Sequence, residues 1–219
     1  MGKPVIIYED NDIIVCYKPA GIATQTRRIG QQDMESFIRN YRAAKNEPPY
    51  VGIVHRLDQP VEGVMVFAKN QKAAASLSRQ IKEHTTEKYY RAASRGQGVS
   101  GADKKEDNHD PAWHTLTDYI SFDKRTNTSE ITSEKDRQAK KAVLQYRILS
   151  NECNKTEFDI KLLTGRHHQI RLQLANIGYP LIGDTKYGGD TAREQLALCS
   201  YKIVFDHPAT GERMTFELP

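Results

Sequence analysis

Segments with strand character outnumber those with helix character along this chain, and the two kinds do not alternate. That order argues against a parallel sheet of repeated β-α-β units. It predicts an α+β fold, with a mixed, mostly antiparallel sheet flanked by helices and loops. Two β-branched runs, Val5-Ile6-Ile7-Tyr8 and Ile13-Ile14-Val15-Cys16, flank the turn-forming Glu9-Asp10-Asn11-Asp12 and predict a hairpin that Lys18-Pro19-Ala20-Gly21 stops. Further strands are predicted at 52–57, 64–69, 88–93, 142–149 and 156–163, with two more from Leu196 to the end. Helices are predicted at 33–46, 71–84 and 166–177. The first has Asp33 as N-cap and an inward stripe of Met34, Phe37, Ile38 and Tyr41. The second, capped by Asn70, is expected to bury Ala74, Leu77 and Ile81; the third turns Ile170, Leu174 and Ile177 inward and stops at Gly178. Residues 96–111 and 123–141 are polar and lack periodicity, so both read as surface loops, the second with room for a hairpin. No repeat and no clean linker divides residues 1–219, which are read as a single domain, or one with two closely packed halves.

Bulk properties narrow the function classes only slightly. The net charge of +4, from 32 Lys+Arg against 28 Asp+Glu, permits a polyanionic partner but falls far short of a nucleic-acid packaging protein. No apolar run approaches the ~18 residues of a membrane-spanning helix, and Met1–Asp10 lacks the layout of a signal peptide. Cys16, Cys153 and Cys199 are widely spaced and odd in number, which suits a reducing compartment and makes the cytoplasm the expected location.

Three constellations could carry chemistry. Asp58 follows Val54-His55-Arg56-Leu57 at a predicted strand exit, in a loop where a carboxylate can face a groove; a plain turn role before Pro60 is the commoner use of such an Asp. Arg171, in Arg166-His167-His168-Gln169-Ile170-Arg171, lies at the edge of a buried helical stripe. Burial there demands an acidic partner, for which Asp58 is the candidate, whereas snorkelling to water demands none. In Glu87-Lys88-Tyr89-Tyr90-Arg91 the adjacent tyrosines must point to opposite faces, one into the core and one elsewhere, or one toward a base as an aromatic wall. The histidines show no metal-ligand spacing, and neither a Gly-rich phosphate loop nor a GxSxG elbow is present, so no metal and no cofactor is expected.

In order along the chain, these segments resemble a known family. Ile53-Val54-His55-Arg56-Leu57-Asp58 is similar to the HRLD signature of the RluA-type pseudouridine synthases, and Thr164 to Arg171 to their TGRxHQIR motif. Gly178 to Asp184, Lys186-Tyr187-Gly188, the Lys18-Pro19-Ala20-Gly21 turn and Lys88-Tyr89-Tyr90-Arg91-Ala92 match further family segments, the last selecting Tyr90 over Tyr89. The resemblance spans nearly the whole chain and is to the short type, without an S4-like domain. It implies the pseudouridine synthase catalytic fold and isomerisation of uridine in rRNA or tRNA by a cytoplasmic enzyme, taken to be a monomer. It assigns Asp58, Tyr90 and Arg171 to catalysis: Asp58 acts at the ribose, Arg171 keeps it charged, and Tyr90 packs against the base. Arg56 would fill the stack that the flipped uridine vacates, and His55, Arg166 and Gln169 would also contact RNA. No metal or cofactor is implied.

The chain departs from the family pattern at four places. Val61-Glu62 stand where Thr-Ser is usual, Tyr17 replaces a common Asn, and Cys199 replaces a frequent His. The Val61-Glu62 change supports an alternative, a non-catalytic RNA-binding or ribosome-assembly protein on the same fold. A third reading, a small-molecule enzyme using Asp58 and His55 as an acid–base pair, predicts activity on free nucleosides.

Overall fold

The computed structural model describes residues 2–26, 28, 30–95, 112–152, 154–188 and 194–219. The predicted loop at 96–111 lies outside them. The chain forms two units, Met1–Lys88 with Ser200–Pro219, and Tyr89–Cys199.

The first unit begins with the predicted hairpin, β1 (Val5–Glu9) paired antiparallel to β2 (Ile13–Lys18). Ile13, Ile14, Val15 and Cys16 are all fully buried, so β2 is covered on both faces, and an unbroken apolar run suits that position. The helix α1 (Met34–Ala44) follows, with the Asp33 side chain accepting from Ser36 N–H and Ser36 bonding back. Met34 and Ile38 are buried as predicted, but Phe37 and Tyr41 are only half covered and the third buried side chain is Arg42. Its guanidinium is satisfied by Glu47 and by the carbonyls of Tyr50 and Lys69, which fastens the helix end to the chain that follows. Helix α2 (Gln71–Lys82) starts at the predicted Asn70 cap and buries Ala73, Leu77 and Gln80 in place of Ala74 and Ile81. The Gln80 amide donates to Asp206 O and accepts from Asp206 N–H, so its side chain stands in for a backbone partner.

The predicted strand at 52–57 is cut to β3 (Gly52–Ile53), which pairs with β4 (Glu62–Ala68). β4 also pairs with β2 and neighbours β10 (Leu198–Asp206), whose other partner is β11 (Arg213–Glu217). One apolar cluster joins Val15, Val64 and Val66 to Leu77 of α2 and Phe205 of β10.

The second unit holds antiparallel strands in the order β5-β9-β8-β6-β7. Its strands are β5 (Glu87–Ser94), β6 (His114–Asp123), β7 (Thr128–Thr132), β8 (Lys140–Glu152) and β9 (Lys155–Leu162). The stretch 123–141, read as mostly loop, thus contributes the β6–β7 hairpin. Helix α3 (Gln169–Asn176) is three residues shorter at its start than the predicted 166–177. His168 holds a left-handed φ of 53°, which no helix interior accepts, and the Gln169 side chain reaches back to Arg166 N–H to cap the turn. Gly178, at φ 88°, ends the helix as expected. The ladders β1–β2, β2–β4, β3–β4, β5–β9, β6–β7, β6–β8, β8–β9 and β10–β11 are antiparallel, and a parallel bridge joins Ala23 to Asp33.

Candidate active site

Asp58 lies in the first unit, in the turn between β3 and β4, where its carbonyl accepts from Val61 N–H. The loop's course is set by side chains that bind backbone. Thr24 Oγ1 donates to Leu57 O at 2.8 Å and accepts from Leu57 N–H at 3.1 Å, supplying both bonds that a neighbouring strand would. The imidazole of His55 does the same for β4, its Nε2 accepting from Val66 N–H at 3.1 Å. This is why the predicted strand stops at Ile53: side chains have taken over its ladder.

Lys18, at the end of β2, is fully buried and directs its three ammonium protons at three carbonyls, Ile22 O (2.6 Å), Pro19 O (3.1 Å) and Gln59 O (3.2 Å). Gln59 O also accepts from Gly21 N–H, and the Gln59 amide donates back to Gly21 O. The Lys-Pro-Ala-Gly turn and the Asp58 loop are therefore stitched together. Burial pulls the Lys18 pKa down to about 8, against the opposing charges of Asp58 and Glu62. Lys18 is thus a buried cation on which the Asp58 charge acts. Sequence reading treated it only as a strand stop; a lysine closing a fully buried apolar run was the available signal.

The two departures nearest this loop explain one another. Tyr17 Oη donates to Glu62 Oε2 at 2.8 Å, so the unusual tyrosine holds the unusual glutamate, and Val61 is buried as a small core residue. Gly63, beside Lys18 in the β2–β4 register, has φ 140°, and a Cβ there would lie 2.3 Å from Ser200 O. The tail strand leaves room for hydrogen alone.

Of the remaining first-unit candidates, Arg56 is exposed. His55 is held neutral, its pKa pushed down to about 3 by burial and by the charge of Lys88. With Nε2 already accepting from Val66, it is built into the loop and is a poor acid–base partner for Asp58. Asp10, Asp12 and His207 bring ligand-type atoms within 4.8 Å of one another. Asp10 already accepts from Tyr8, from His207 and from the backbone of Asp12 and Ile13, so this group reads as a clasp between the first hairpin and the tail.

The second unit holds Tyr90, Arg166, Gln169 and Arg171. Tyr90 is buried opposite Ile160 in the β5–β9 register, while Tyr89 faces the other way with Lys161 Nζ 5.4 Å from its ring centre. Arg171 is buried and makes a two-pronged ion pair with Asp184, Nε to Oδ2 at 2.7 Å and Nη2 to Oδ1 at 2.6 Å. The acidic partner that burial demands is thus supplied within the unit by Asp184, which sequence reading quoted only as motif. Burial alone would raise the Asp184 pKa, but Arg171 and the Lys186 and Tyr187 N–H groups bring it below the ordinary value.

The network continues outward from this pair. The Arg171 guanidinium lies 5.3 Å from the Tyr187 ring centre. Tyr187 Oη accepts from Ser129 N–H and lies 2.8 Å from His168 Nδ1. Burial with nearby Arg171 and His167 pulls the His168 pKa down to about 3, which keeps the ring neutral. Gln169 accepts with Oε1 from Thr164 and Arg166, which leaves its buried Nε2 without a partner among the described residues.

Residues 12–176 match the family model for RNA pseudouridylate synthase. The chain is 32% identical over 222 residues to an uncharacterized RNA pseudouridine synthase of Bacillus subtilis, YhcT, covering 100% of this chain and 69% of that protein. It is 31% identical over 229 residues to the ribosomal large subunit pseudouridine synthase D of Neisseria meningitidis serogroup B, covering 98% of this chain and 57% of that one. The chain therefore spans between just over half and about two thirds of these relatives' lengths. Human RNA pseudouridylate synthase domain containing 4 shares the fold, with a TM-score of 0.73 at 20% identity over 98% of this chain and 88% of that structure. The chain belongs to the RNA pseudouridylate synthase family, whose members are RNA-modifying isomerases.

Proposed function

We propose that this chain converts specific uridines of structured RNA, rRNA or tRNA, to pseudouridine, with Asp58 as the reacting carboxylate. The observation that carries this reading is the clamped loop: Lys18, Thr24 and His55 fix the backbone around Asp58, and the Asp58 charge acts on the buried Lys18. The reaction breaks the C1′–N1 bond and forms C1′–C5, with a proton leaving C5 and N1 gaining one. Asp58 acts at the ribose, by attack at C1′ or by removing a proton to give a glycal. The uridine must leave its stack, as bases do for other enzymes that act on them, and Tyr90 supplies the ring that faces the uracil. Arg171, with its geometry fixed by Asp184, is the cation assigned to the same chemistry. The Tyr17–Glu62 bond also favours catalysis over the purely RNA-binding alternative, because the glutamate is a held structural group.

The test is to incubate RNA from cells lacking this gene with the wild type and with Asp58→Asn, and to detect pseudouridine chemically. The wild type should form product, and the variant should lose about 10²–10⁴-fold in rate or more. Product formed equally by both would overturn the assignment of Asp58. RNA binding without product on any cellular RNA would favour the non-catalytic alternative, and activity on free uridine would favour a small-molecule enzyme.

A further inference from the structure

We propose that Phe122, in tilted ring contact with His167 near the end of β6, is a platform for an unpaired base of the RNA strand, distinct from the reacting uridine. The proposal rests on the reading of RNA as substrate and adds a second point at which the strand is held.

The side chains of Leu116, Asp118, Ile120 and Phe122 alternate onto one face of β6. Along that face the cover of α3 runs out. Asp118 accepts from Gln173 of α3 at 2.6 Å and Ile120 is 4% exposed, but Phe122 is 38% exposed. Lone exposed apolar residues are ordinary and by themselves mean nothing. Phe122 differs because its ring belongs to a fixed row. Its centroid is 4.2 Å from that of His167, whose Nδ1 is tied to Ser129 Oγ at 2.9 Å, and Ser129 is opposite Phe122 in the β6–β7 register. The His167 and His168 ring centres lie 3.7 Å apart in a tilted contact, and His168 meets the Tyr187 ring edge-on at 5.6 Å. The row is anchored at the buried Arg171–Asp184 pair and reaches solvent at Phe122.

The charges around that end suit a phosphate chain. The exposed Lys186 gives Nζ to Asn127 O in the β6–β7 turn, and Arg166 gives Nε to Lys141 O at the start of β8. The acidic groups nearby are turned to other work. Asp123 caps the turn through Arg125 N–H and Thr126, while Glu130 and Glu134 bond Ser121 and Tyr119, which alternate onto the opposite face. An aromatic ring framed by cations is the chemistry that holds unstacked bases, and it is tolerant of base identity.

The test uses the full chain and two 12-nucleotide RNA probes, an all-uridine oligomer and a fully abasic ribose-phosphate oligomer. Phe122→Leu should weaken binding of the uridine oligomer by about 10-fold and leave the abasic oligomer unchanged, whereas Phe122→Trp should keep or improve the wild-type affinity. Thermal unfolding of the variants should match the wild type. Equal affinity of wild type and Phe122→Leu for the uridine oligomer would overturn the platform, as would an equal loss on both probes or no wild-type binding of either. Asp58→Asn separates the two readings: if it abolishes product while Phe122→Leu binds normally, the platform alone fails. If no RNA yields product but the base-dependent loss is seen, only the enzymatic reading fails.

Discussion

The two units secure their motif residues by different means. In the first, side chains bind backbone: Lys18 takes three carbonyls, Thr24 both bonding groups of Leu57, and His55 the N–H of Val66. In the second, a relay of side chains runs from Asp184 through Arg171, Tyr187 and His168, with the N–H groups of Ser129, Lys186 and Tyr187 donating into it. A clamp on backbone is indifferent to the identity of the loop residues it holds, whereas a relay depends on every member. Of the four departures, Tyr17, Val61 and Glu62 fall in the first unit and Cys199 at the very end of the second, whose Arg-His-His-Gln-Ile-Arg, Gly-Asp and Lys-Tyr-Gly segments follow the family pattern.

The largest expected effect breaks the relay. Arg171→Leu leaves the Asp184 carboxylate buried without its cation and should cost about 3–5 kcal/mol in urea unfolding. A loss below about 1 kcal/mol would show that the relay is not a stability element. Lys18→Met removes the donor to three carbonyls but also relieves a buried charge, so a net loss of about 2 kcal/mol is expected. Its kcat should fall with RNA affinity unchanged; an affinity loss with intact kcat would place Lys18 at the RNA surface instead.

Acid probes both units at once. His55 and His168 each have a folded pKa near 3 against an ordinary 6.5. Between those values the unfolded chain binds protons that the folded chain refuses, so stability falls as pH drops from 6.5 toward 3 and is unaffected by these groups above it. Substituting either by Gln should flatten part of that slope in denaturation curves taken across the window; an unchanged slope in both would mean that neither histidine is held neutral. The smallest effect belongs to Glu62→Gln, which keeps an acceptor for Tyr17 and should move stability by about 0.5 kcal/mol or less. A greater loss would make the glutamate's charge, and not its bond, the important property.

Much of this arrangement was legible in the sequence because it is local. The Asp33 and Asn70 caps, the Gly178 stop and the opposed faces of Tyr89 and Tyr90 follow from spacing of a few residues. What escaped was set by partners far along the chain. The strand at 52–57 was overestimated because Thr24, 33 residues away, captures Leu57. Gln80 displaced Ile81 from the buried stripe because Asp206 offers a backbone partner 126 residues on. Asp184 and Lys18 were invisible as site residues because a polar group's burial is read from its surroundings, and no periodicity encodes those.

Gly63 has a consequence for how such a loop can change. With Ser200 O where any β-carbon would go, the second residue of β4 is pinned between Lys18 and the tail strand. Insertions among residues 58–62 can bulge outward, but a slip of one position past this point would drive a side chain into a backbone oxygen. The loop is free to vary in content while its landing point is locked, so a mutant library of this segment should yield many tolerated sequences and a single permitted frame.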